Sequence, residues 1–414
     1  MTDSKTTEST LLQGARLVLA DRVVDRASLL VADGRIQAIY DIGEAIPHRS
    51  THTLDLTGLT LFPGFIDIHI HGAVGIDTME ADADDLHRVA EFLARNGVTA
   101  WLPTLVPARI DQYEHAVRAI KDLMRDQESR FAPAALNADQ TSARPAGQAR
   151  ALGLHYEGPF INSAQCGALR PEHFRTFKNV ADLDDLPGAG NLNAVRMMTL
   201  APEIDGGIEL VGELKKRGWI ISLGHTRATP KVLDKARDAG AHHMTHFMNA
   251  MSPLHQRAPG PVGWGLLNDD VSLDVIADGV HVDPLMLKVL IRCKTPARLA
   301  LISDAVAAAG LGDGAYKIWG EKISVKDGRT QNTRGSIAGS VITMLDAVRM
   351  MLSLGSSESD VARMASLNPA RLLGIEQDCG SIEEGKRADL VALDDKGKVQ
   401  LTLVGGRVAF NALA

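Results

Sequence analysis

Polar and apolar residues alternate most regularly where the chain reads FIDIHIHG, from Phe65 to Gly72. Isoleucine occupies the even positions, and Asp67, His69 and His71 stand between the isoleucines. Side chains two apart on a β-strand point to the same face, so the pattern predicts a strand with two imidazoles side by side. Such a pair beside a glycine could form half of a metal site. On this motif alone, a strand that carries two hydrogen-bonded histidines is an equal alternative.

The middle of the chain alternates short apolar runs with helix-like segments. Eight strands are predicted, at Phe65–His71, Val98–Thr104, Leu152–Glu157, Ala194–Ala201, Trp219–His225, His242–His246, Leu273–Asp278 and Arg298–Asp304. Helices are predicted between most of them, at Asp84–Asn96, Tyr113–Asp126, Ile208–Arg217, Lys231–Ala239 and Pro284–Cys293. Gly97, Gly218 and Gly240 stand where helices commonly end. This alternation predicts an α/β fold of the (β/α)8 barrel type. An open doubly wound sheet is the alternative, although no GxGxxG follows a strand.

Both chain ends have the short runs and turn residues of β structure. Strands are predicted at Ala15–Leu19, Ala27–Val31, Arg35–Tyr40, Asp389–Leu393 and Val399–Val404. We therefore expect one small sheet domain built from residues 1–62 and 375–414, beside a barrel of residues 63–374. The segment from Gln127 to Arg150 is rich in Ala, Gln, Pro and Ser, which predicts an inserted surface loop.

Composition narrows the class of protein. The chain has 414 residues, of which 45% are hydrophobic and 23% charged, with a formal net charge of −7. This composition is typical of a globular protein, and without a basic run we expect no nucleic-acid partner. The N-terminus has no long apolar core, and no apolar run is as long as a membrane span, so we expect no signal peptide and no membrane partner. Three scattered cysteines favour a reduced, cytoplasmic location.

Side chains that could bind a metal stand at the ends of separate predicted strands. They are His69, His71, Glu157, His225, His246 and Asp304. The carboxyl ends of parallel strands meet at one mouth of a barrel, so these side chains should converge there. A single histidine or glutamate at a strand end usually has an ordinary structural role. The whole set at such ends is better explained by a common site.

Imidazole, carboxylate and water ligands suit zinc and its first-row neighbours. A divalent metal lowers the pKa of water towards neutrality and so provides a nucleophile. Asp304 is then placed as a general base that passes the proton to a leaving group. Asp67, deeper on the same strand face, is either a residue that supports the ligands or a buried structural carboxylate.

A second group of residues could bind an anionic substrate group. The segment HFMNAMSP follows the sixth strand, and it includes Asn249. Arg257 follows in RAPG, and His281 follows in DGVH. An arginine, a histidine and an amide together could hold a phosphate. Taken alone, Arg257 is better explained as a solvated loop charge.

With these motifs in order along nearly the whole chain, the sequence resembles the N-acetylglucosamine-6-phosphate deacetylases of the amidohydrolase superfamily. The matching runs are PGFIDIHIHG, GLHYEGPFIN, SLGHTRAT, THFMNAMSPL with RAPG, IADGVHVD, LISDAV, GSIAGS, and LNPARLLG with GSIEEGKRADLVALD. The HxH and KRADLV runs belong to the superfamily at large. The GLHYEGPF, LGHTRAT and THFMNAM runs are specific to the deacetylases.

The resemblance implies a barrel with a small β-sandwich domain, and often a homodimer. It implies metal ligation by Glu157, His225 and His246, with a second metal near His69 and His71. Zinc is the first expectation, with one or two ions per chain, and iron, manganese and cobalt are alternatives. Glu157 would take the place of the carboxylated lysine that bridges two metals in other amidohydrolases.

The resemblance also assigns the residues around the reacting group. Asp304 matches the catalytic acid/base. Asn249, the backbone of Ala250 and Arg257 match contacts to the sugar phosphate, and His281 matches a further ligand contact. The expected reaction is hydrolysis of the N-acetyl group of N-acetylglucosamine 6-phosphate to glucosamine 6-phosphate and acetate.

One loop departs from the family pattern. Where the deacetylases place a histidine that contacts the substrate carbonyl, this chain has Leu169, which donates no hydrogen bond. Ala168 and Leu169 remain candidates for substrate contact, and Arg170 or His173 could replace the histidine. N-acetylgalactosamine 6-phosphate or an unphosphorylated amino sugar is therefore a rival substrate. The same barrel could also serve a cyclic amidase or a catalytically silent scaffold.

Overall fold

A computed structural model describes residues 9–46, 50–131, 147–188 and 194–413. Its central sheet follows the predicted barrel. The eight barrel strands, numbered first to eighth below, are Phe65–Ile70, Val98–Leu105, Gly153–Glu157, Val195–Leu200, Ile220–Leu223, His243–Met244, Ser272–Ile276 and Leu299–Ile302. Each pairs in parallel with the next, and Arg150–Ala151 extends the third strand beside the second. The predicted (β/α)8 architecture is confirmed.

The barrel closes between its first and eighth strands. The backbone N–H of Asp304 donates to the carbonyl of His69 at 2.9 Å, and the N–H of His71 donates to the carbonyl of Ala305 at 2.8 Å. Below them, Asp67 accepts hydrogen bonds from both the N–H and the hydroxyl of Ser303. This seam brings the first and the last candidate ligands of the sequence side by side.

Helices cover the outside of the barrel. The α-helices are Ala83–Arg95, Ile110–Phe131, Ala181–Asp184, Gly207–Lys216, Pro230–Ala239, Gly260–Leu267, Pro284–Lys294, Met344–Ser353, Glu358–Ala362 and Asn368–Leu373. A π-helical turn spans Arg363–Leu367, and 3₁₀ turns lie at Ser163–Gln165, Pro171–His173 and Pro296–Arg298. Gly97 and Gly218 follow their helices with φ of +81° and +74°, which is the left-handed backbone that ends a helix. None of the described helices has the length and hydropathy to cross a bilayer.

The inserted loop begins later than the sequence predicts. The helix continues to Phe131, so the predicted start at Gln127 is wrong. The Gln127 side chain is buried, donates to the carbonyl of Ala149 at 3.0 Å and accepts from the N–H of Ala151 at 2.9 Å. A polar residue type suggested a loop, but its amide satisfies backbone groups beneath the helix. Residues 132–146 of the predicted loop lie outside the described residues.

Strands from both chain ends form one further sheet, as expected. Its strands are Ser9–Val18, Val23–Ala32, Arg35–Tyr40, His52–Asp55, Thr60–Pro63, Leu390–Leu393, Val399–Val404 and Arg407–Asn411. The two ends join where Leu390–Leu393 pairs antiparallel with Thr60–Pro63. Apolar residues of both ends, among them Leu12, Leu29 and Leu401, share a core cluster of their own. The domain limits at residues 62/63 and 374/375 stay a prediction.

A three-stranded antiparallel sheet follows the eighth barrel strand. Its strands are Gly314–Ile318, Glu321–Lys326 and Arg329–Gln331, and a two-stranded ribbon of Gly72–Ala73 and Ile76–Asp77 follows the first barrel strand. Trp319 and Gly320 form the first hairpin turn with φ of +53° and +78°, the backbone of a type I′ turn. These strands were not predicted from the sequence, although Asp327-Gly328 within an alternating run is a hairpin signal.

Candidate active site

The candidate ligands lie at the carboxyl ends of the first, third, fifth, sixth and eighth barrel strands. Glu157 is the last residue of the third strand, and His225, His246 and Asp304 each follow a strand by two residues. These three have φ of +47°, +27° and +48°. Left-handed backbone is costly for residues other than glycine, and it clusters at functional sites. The positive φ values at three strand ends therefore mark this mouth of the barrel as the candidate site.

Glu157 lies at the centre of the site. Its Oε1 is 2.9 Å from Nε2 of His225 and 2.9 Å from Nε2 of His246, and these two nitrogens are 3.1 Å apart. All three residues are at most 4% exposed. One carboxylate oxygen and two imidazole nitrogens of buried residues thus converge, and this donor set suits a divalent cation.

A second group shares the same carboxylate. Oε2 of Glu157 is 3.2 Å from Nε2 of His71, and the Nε2 atoms of His69 and His71 are 3.2 Å apart. Oδ1 of Asp304 is 3.2 Å from Nε2 of His71 and 3.4 Å from Nε2 of His69. Glu157 therefore belongs to both groups that could hold a cation, and Asp304 lies beside the second group.

Charges in the site compensate one another. Burial would lower the pKa of His71, but hydrogen bonds to the carboxylates of Asp304 and Glu157 outweigh burial and raise the pKa to about 10. In the same way Glu157 raises the pKa of His246 to about 9. Burial would raise the pKa values of Glu157 and Asp304, but the surrounding histidines hold both below their usual range. Cations displace protons from imidazoles, so these groups fit a divalent metal.

Among the described residues, only two of the four candidate histidine ligands have a hydrogen-bond partner on Nδ1, the ring nitrogen away from the site. Nδ1 of His225 donates to the carbonyl of Gln165 at 2.7 Å, so in the neutral imidazole the lone pair is on Nε2, which faces the site. Nδ1 of His69 lies 3.1 Å from the hydroxyl of Thr245. Among the described residues, Nδ1 of His71 and Nδ1 of His246 have no hydrogen-bond partner.

Asp67 supports the seam of the barrel. It accepts from the N–H of Ser303 at 3.2 Å, from the Ser303 hydroxyl at 2.5 Å and from the N–H of His69 at 3.4 Å. Complete burial raises its pKa to about 6. The structure thus favours the structural alternative for this residue, which joins the first strand to the segment that carries Asp304.

A cavity of about 250 Å³ opens above these ligands. Its lining includes the predicted residues Ala168, Leu169, Asn249, Ala250 and His281. Nδ1 of His281 lies 2.7 Å from Oδ2 of Asp278. The other oxygen of Asp278, Oδ1, accepts a hydrogen bond from the backbone N–H of His281. This carboxylate fixes the imidazole and leaves Nε2 for a ligand.

Arg257 is the one predicted substrate residue that the structure does not bring to the cavity lining. It lies in an exposed stretch, and its backbone N–H donates to Nδ1 of His255 at 3.2 Å. Arg170 and His173, the suggested replacements for the missing histidine, are also outside the lining. Leu169 itself is 4% exposed and packs in the barrel's apolar core.

Comparison with known proteins agrees with the geometry. The amidohydrolase family matches residues 60–409. The chain belongs to the amidohydrolase family. It is 36% identical over 400 residues to the N-acetylgalactosamine-6-phosphate deacetylase of Escherichia coli O157:H7, covering 96% of this chain and 99% of that protein. It is 34% identical over 409 residues to the N-acetylglucosamine-6-phosphate deacetylase of Bacillus subtilis, covering 97% and 98%.

Solved structures place this amidohydrolase in the same group. The N-acetylglucosamine-6-phosphate deacetylase of Thermotoga maritima superposes with a TM-score of 0.83 at 32% identity, covering 97% of this chain and 99% of that chain. A mutant of the Mycobacterium smegmatis enzyme, in complex with N-acetyl-D-glucosamine-6-phosphate, gives 0.83 at 30% identity over 98% and 100%. The resemblance to the N-acetylglucosamine-6-phosphate deacetylases that the motifs indicate is confirmed.

Several residues of the amidohydrolase cavity were not predicted from the sequence. They are Gly167, Trp319, Ser336, Ile337 and Gly339. The ring centroids of Trp319 and His71 are 5.1 Å apart in an edge-to-face arrangement. A Cβ on Gly339, where φ is +58°, would lie 2.6 Å from Cγ1 of Val306 and 2.9 Å from the carbonyl oxygen of Asp304. The motif GSIAGS contains this glycine, but only the folded chain shows the close approach.

Proposed function

We propose that this amidohydrolase removes the N-acetyl group of N-acetylglucosamine 6-phosphate, with glucosamine 6-phosphate and acetate as products. The observation that carries the proposal is the position of Asp304, whose carboxylate lines the cavity and lies beside His69 and His71, in one of the two groups that could hold a cation. The similarity of nearly the whole chain to deacetylases of amino-sugar phosphates supports the substrate class.

Two groups of side chains hold metal in this proposal. Glu157, His225 and His246 hold one ion, and His69, His71 and Glu157 hold a second. Zinc suits four imidazoles and a carboxylate, and iron, manganese and cobalt accept the same donors. The bound metal supplies Lewis acidity and lowers the pKa of water towards neutrality.

Asp304 then moves the proton. Its pKa is held below its usual range, so at neutral pH the side chain is a carboxylate that can accept the proton of the attacking water. It returns that proton to the sugar nitrogen as the amide C–N bond breaks. Water thus supplies the hydroxyl that completes acetate and the proton that completes the amine.

The cavity lining contains both polar and apolar residues. Asn249, the backbone of Ala250 and His281 offer polar groups for the sugar phosphate, and in this proposal Arg257, from the exposed segment outside the lining, also contacts the phosphate. Leu169 and Trp319 are apolar members of the same lining, and in this proposal they exclude water from the reacting amide. We further propose a cytoplasmic homodimer, for which the low cysteine content and the family resemblance are the supports.

N-acetylgalactosamine 6-phosphate is the second candidate substrate. Leu169 stands where the family pattern has a histidine, and one of the similar proteins is an N-acetylgalactosamine-6-phosphate deacetylase. A wall without that hydrogen-bond donor changes how the carbonyl side of the substrate is held.

One experiment tests both candidates. Acetate release is measured from the two epimeric sugar phosphates and from their unphosphorylated forms, with metal content determined on the same preparation. A kcat/KM for N-acetylglucosamine 6-phosphate at least tenfold above the other three supports the first candidate. A reversed order for the epimers supports the second. Equal rates with and without phosphate would contradict an amino-sugar-phosphate deacetylase, and a metal-free, fully active preparation would contradict the metal assignment.

A further inference from the structure

A chain of buried polar groups lies behind His69, on the side away from the cavity. His243 lies on the sixth strand, Thr245 directly follows that strand, and Asp274 lies on the seventh strand. The three side chains are at most 1% exposed. Neither the proton transfer by Asp304 nor substrate binding uses them. Buried polar groups of this kind need an explanation.

In this group of buried residues, the donor and the acceptor of each hydrogen bond can be assigned. Oδ2 of Asp274 lies 2.9 Å from Nε2 of His243 and 3.4 Å from the hydroxyl of Thr245. Its Oδ1 accepts the backbone N–H of His246. A carboxylate accepts hydrogen bonds and donates none, so the single proton of the Thr245 hydroxyl points towards Asp274.

This assignment also fixes the hydrogen bond between Thr245 and His69. With its proton committed to Asp274, the Thr245 oxygen can only accept from Nδ1 of His69, which lies 3.1 Å away. In the neutral imidazole, the form that binds a metal, the proton is therefore on Nδ1 and the lone pair on Nε2. That Nε2 faces the site, 3.2 Å from Nε2 of His71 and 3.7 Å from Oε1 of Glu157.

Packing holds the Thr245 side chain in this rotamer. A Cβ on Gly224 would lie 2.4 Å from Cγ2 of Thr245, so the methyl group fills the space that the glycine leaves. A rotation that moved the hydroxyl away from His69 would have to empty that space. Because the methyl group of Thr245 packs against Gly224, the hydroxyl stays between His69 and Asp274.

We propose that Thr245, supported by Asp274 and His243, is a positioning residue for the metal held by His69, His71 and Glu157. It sets the tautomer and the ring orientation of His69 and touches neither substrate nor metal. The inference rests on the proposed function in one respect, the presence of that second metal. Groups that orient a metal-binding histidine in this way typically change metal affinity by roughly 10- to 100-fold when removed.

The test measures metal affinity, not turnover. Metal-free protein is titrated with Co²⁺ in the presence of a competing chelator, and the visible absorption of the bound ion follows each step. Thr245→Val keeps the shape of the side chain and removes the hydroxyl. We expect it to weaken the second, His69-dependent binding step by about 10- to 100-fold and to leave the first step within a few-fold of wild type. Thr245→Ser, which keeps the hydroxyl, should bind the second ion within a few-fold of wild type.

Thr199→Val is the matched control. Thr199 is also fully buried, also contacts the space beside Gly224 and also bonds a histidine, with its hydroxyl 2.8 Å from Nε2 of His155. His155 is not in either ligand group, so this variant should keep both affinities. Asp274→Asn serves as a second variant, because its amide can donate to the Thr245 oxygen and so turn the hydroxyl proton towards His69.

The outcomes separate the two proposals. Wild-type protein that binds one ion per chain would overturn the second metal and this inference together. Two ions in wild type, with undiminished affinity in Thr245→Val, would overturn this inference alone. Equal losses in Thr245→Ser and Thr245→Val, or in Thr199→Val, would show that packing and not the hydroxyl matters, and would also overturn it. If Thr245→Val does not fold, Asp274→Asn and Thr245→Ser decide the question by the same titration.

Discussion

Replacing Asp304 by asparagine removes one proton acceptor and leaves the shape of the site. The backbone N–H of Asp304 donates to His69 and its carbonyl accepts from Ser340, and neither bond involves the side chain. We therefore expect Asp304→Asn to fold and to keep its metal. An asparagine amide cannot take the proton of water or return it to the sugar nitrogen, so turnover should fall.

The size of the loss follows from the environment of the carboxylate. Asp304 is 7% exposed, so bulk water cannot readily take over the proton transfer. General acid–base groups contribute on the order of 10² to 10⁴ in rate. At about 1.36 kcal/mol for each factor of ten, this corresponds to about 3 to 5 kcal/mol of activation free energy. Because the proposed role of Asp304 is proton transfer and not sugar binding, the loss should appear in kcat more than in KM.

The assay compares acetate release at equal metal content. Asp67→Asn is the control, because Asp67 is a second buried carboxylate of the same seam that contacts Ser303 and not the cavity. That variant should lose thermal stability but keep kcat within a few-fold. A fully loaded Asp304→Asn enzyme with kcat within about fivefold of wild type would refute the assignment of Asp304 as the base.

Four further predictions concern other parts of the molecule. Arg257→Ala should raise KM for the phosphorylated sugar about tenfold or more and leave the unphosphorylated sugar unchanged; an equal rise for both would make Arg257 structural. Leu169→His should shift the ratio of kcat/KM between the two epimeric sugar phosphates, and an unchanged ratio would show that this position does not set specificity. In metal-free protein, the raised pKa values of His71 and His246 give their full stabilisation of the fold below about pH 6.5. The melting temperature of the metal-free protein should therefore fall between about pH 6.5 and about pH 10, and metal loading should reduce this dependence on pH. Thr343→Ala should cost about 1 kcal/mol of unfolding free energy in denaturant titrations, because Thr343 and Asp346 form a capping box; Thr343→Ser should cost much less.

The pattern of apolar and polar residues within single strands was enough to predict the barrel strands and most residues of the candidate site. His69 and His71 follow from a period of two, and Glu157 follows from its place at the end of an apolar run. Their meeting in space follows from the closed barrel, because parallel strands present their carboxyl ends at one mouth. These inferences need only a strand's own sequence and the architecture.

Other features depend on contacts that no local pattern contains. Trp319 reaches the cavity only because a hairpin after the last strand places its turn there. The burial of Gln127 depends on backbone groups about twenty residues further along the chain. Arg257 follows a motif that matches the family, yet the path of its loop keeps it outside the cavity lining.

The seam between the first and eighth strands has a consequence for folding. The hydroxyl of Ser303 and the carboxylate of Asp67 are bonded across 236 residues of sequence, and the candidate base and two candidate ligands flank this bond. Contacts of such sequence separation form late, since a long loop must close before they are made. A partly folded chain that lacks the eighth strand has no complete site, so metal taken up there would bind preferentially to the closed barrel and shift the folding equilibrium towards it. The supply of divalent cations during synthesis would then influence the yield of folded protein as well as its activity.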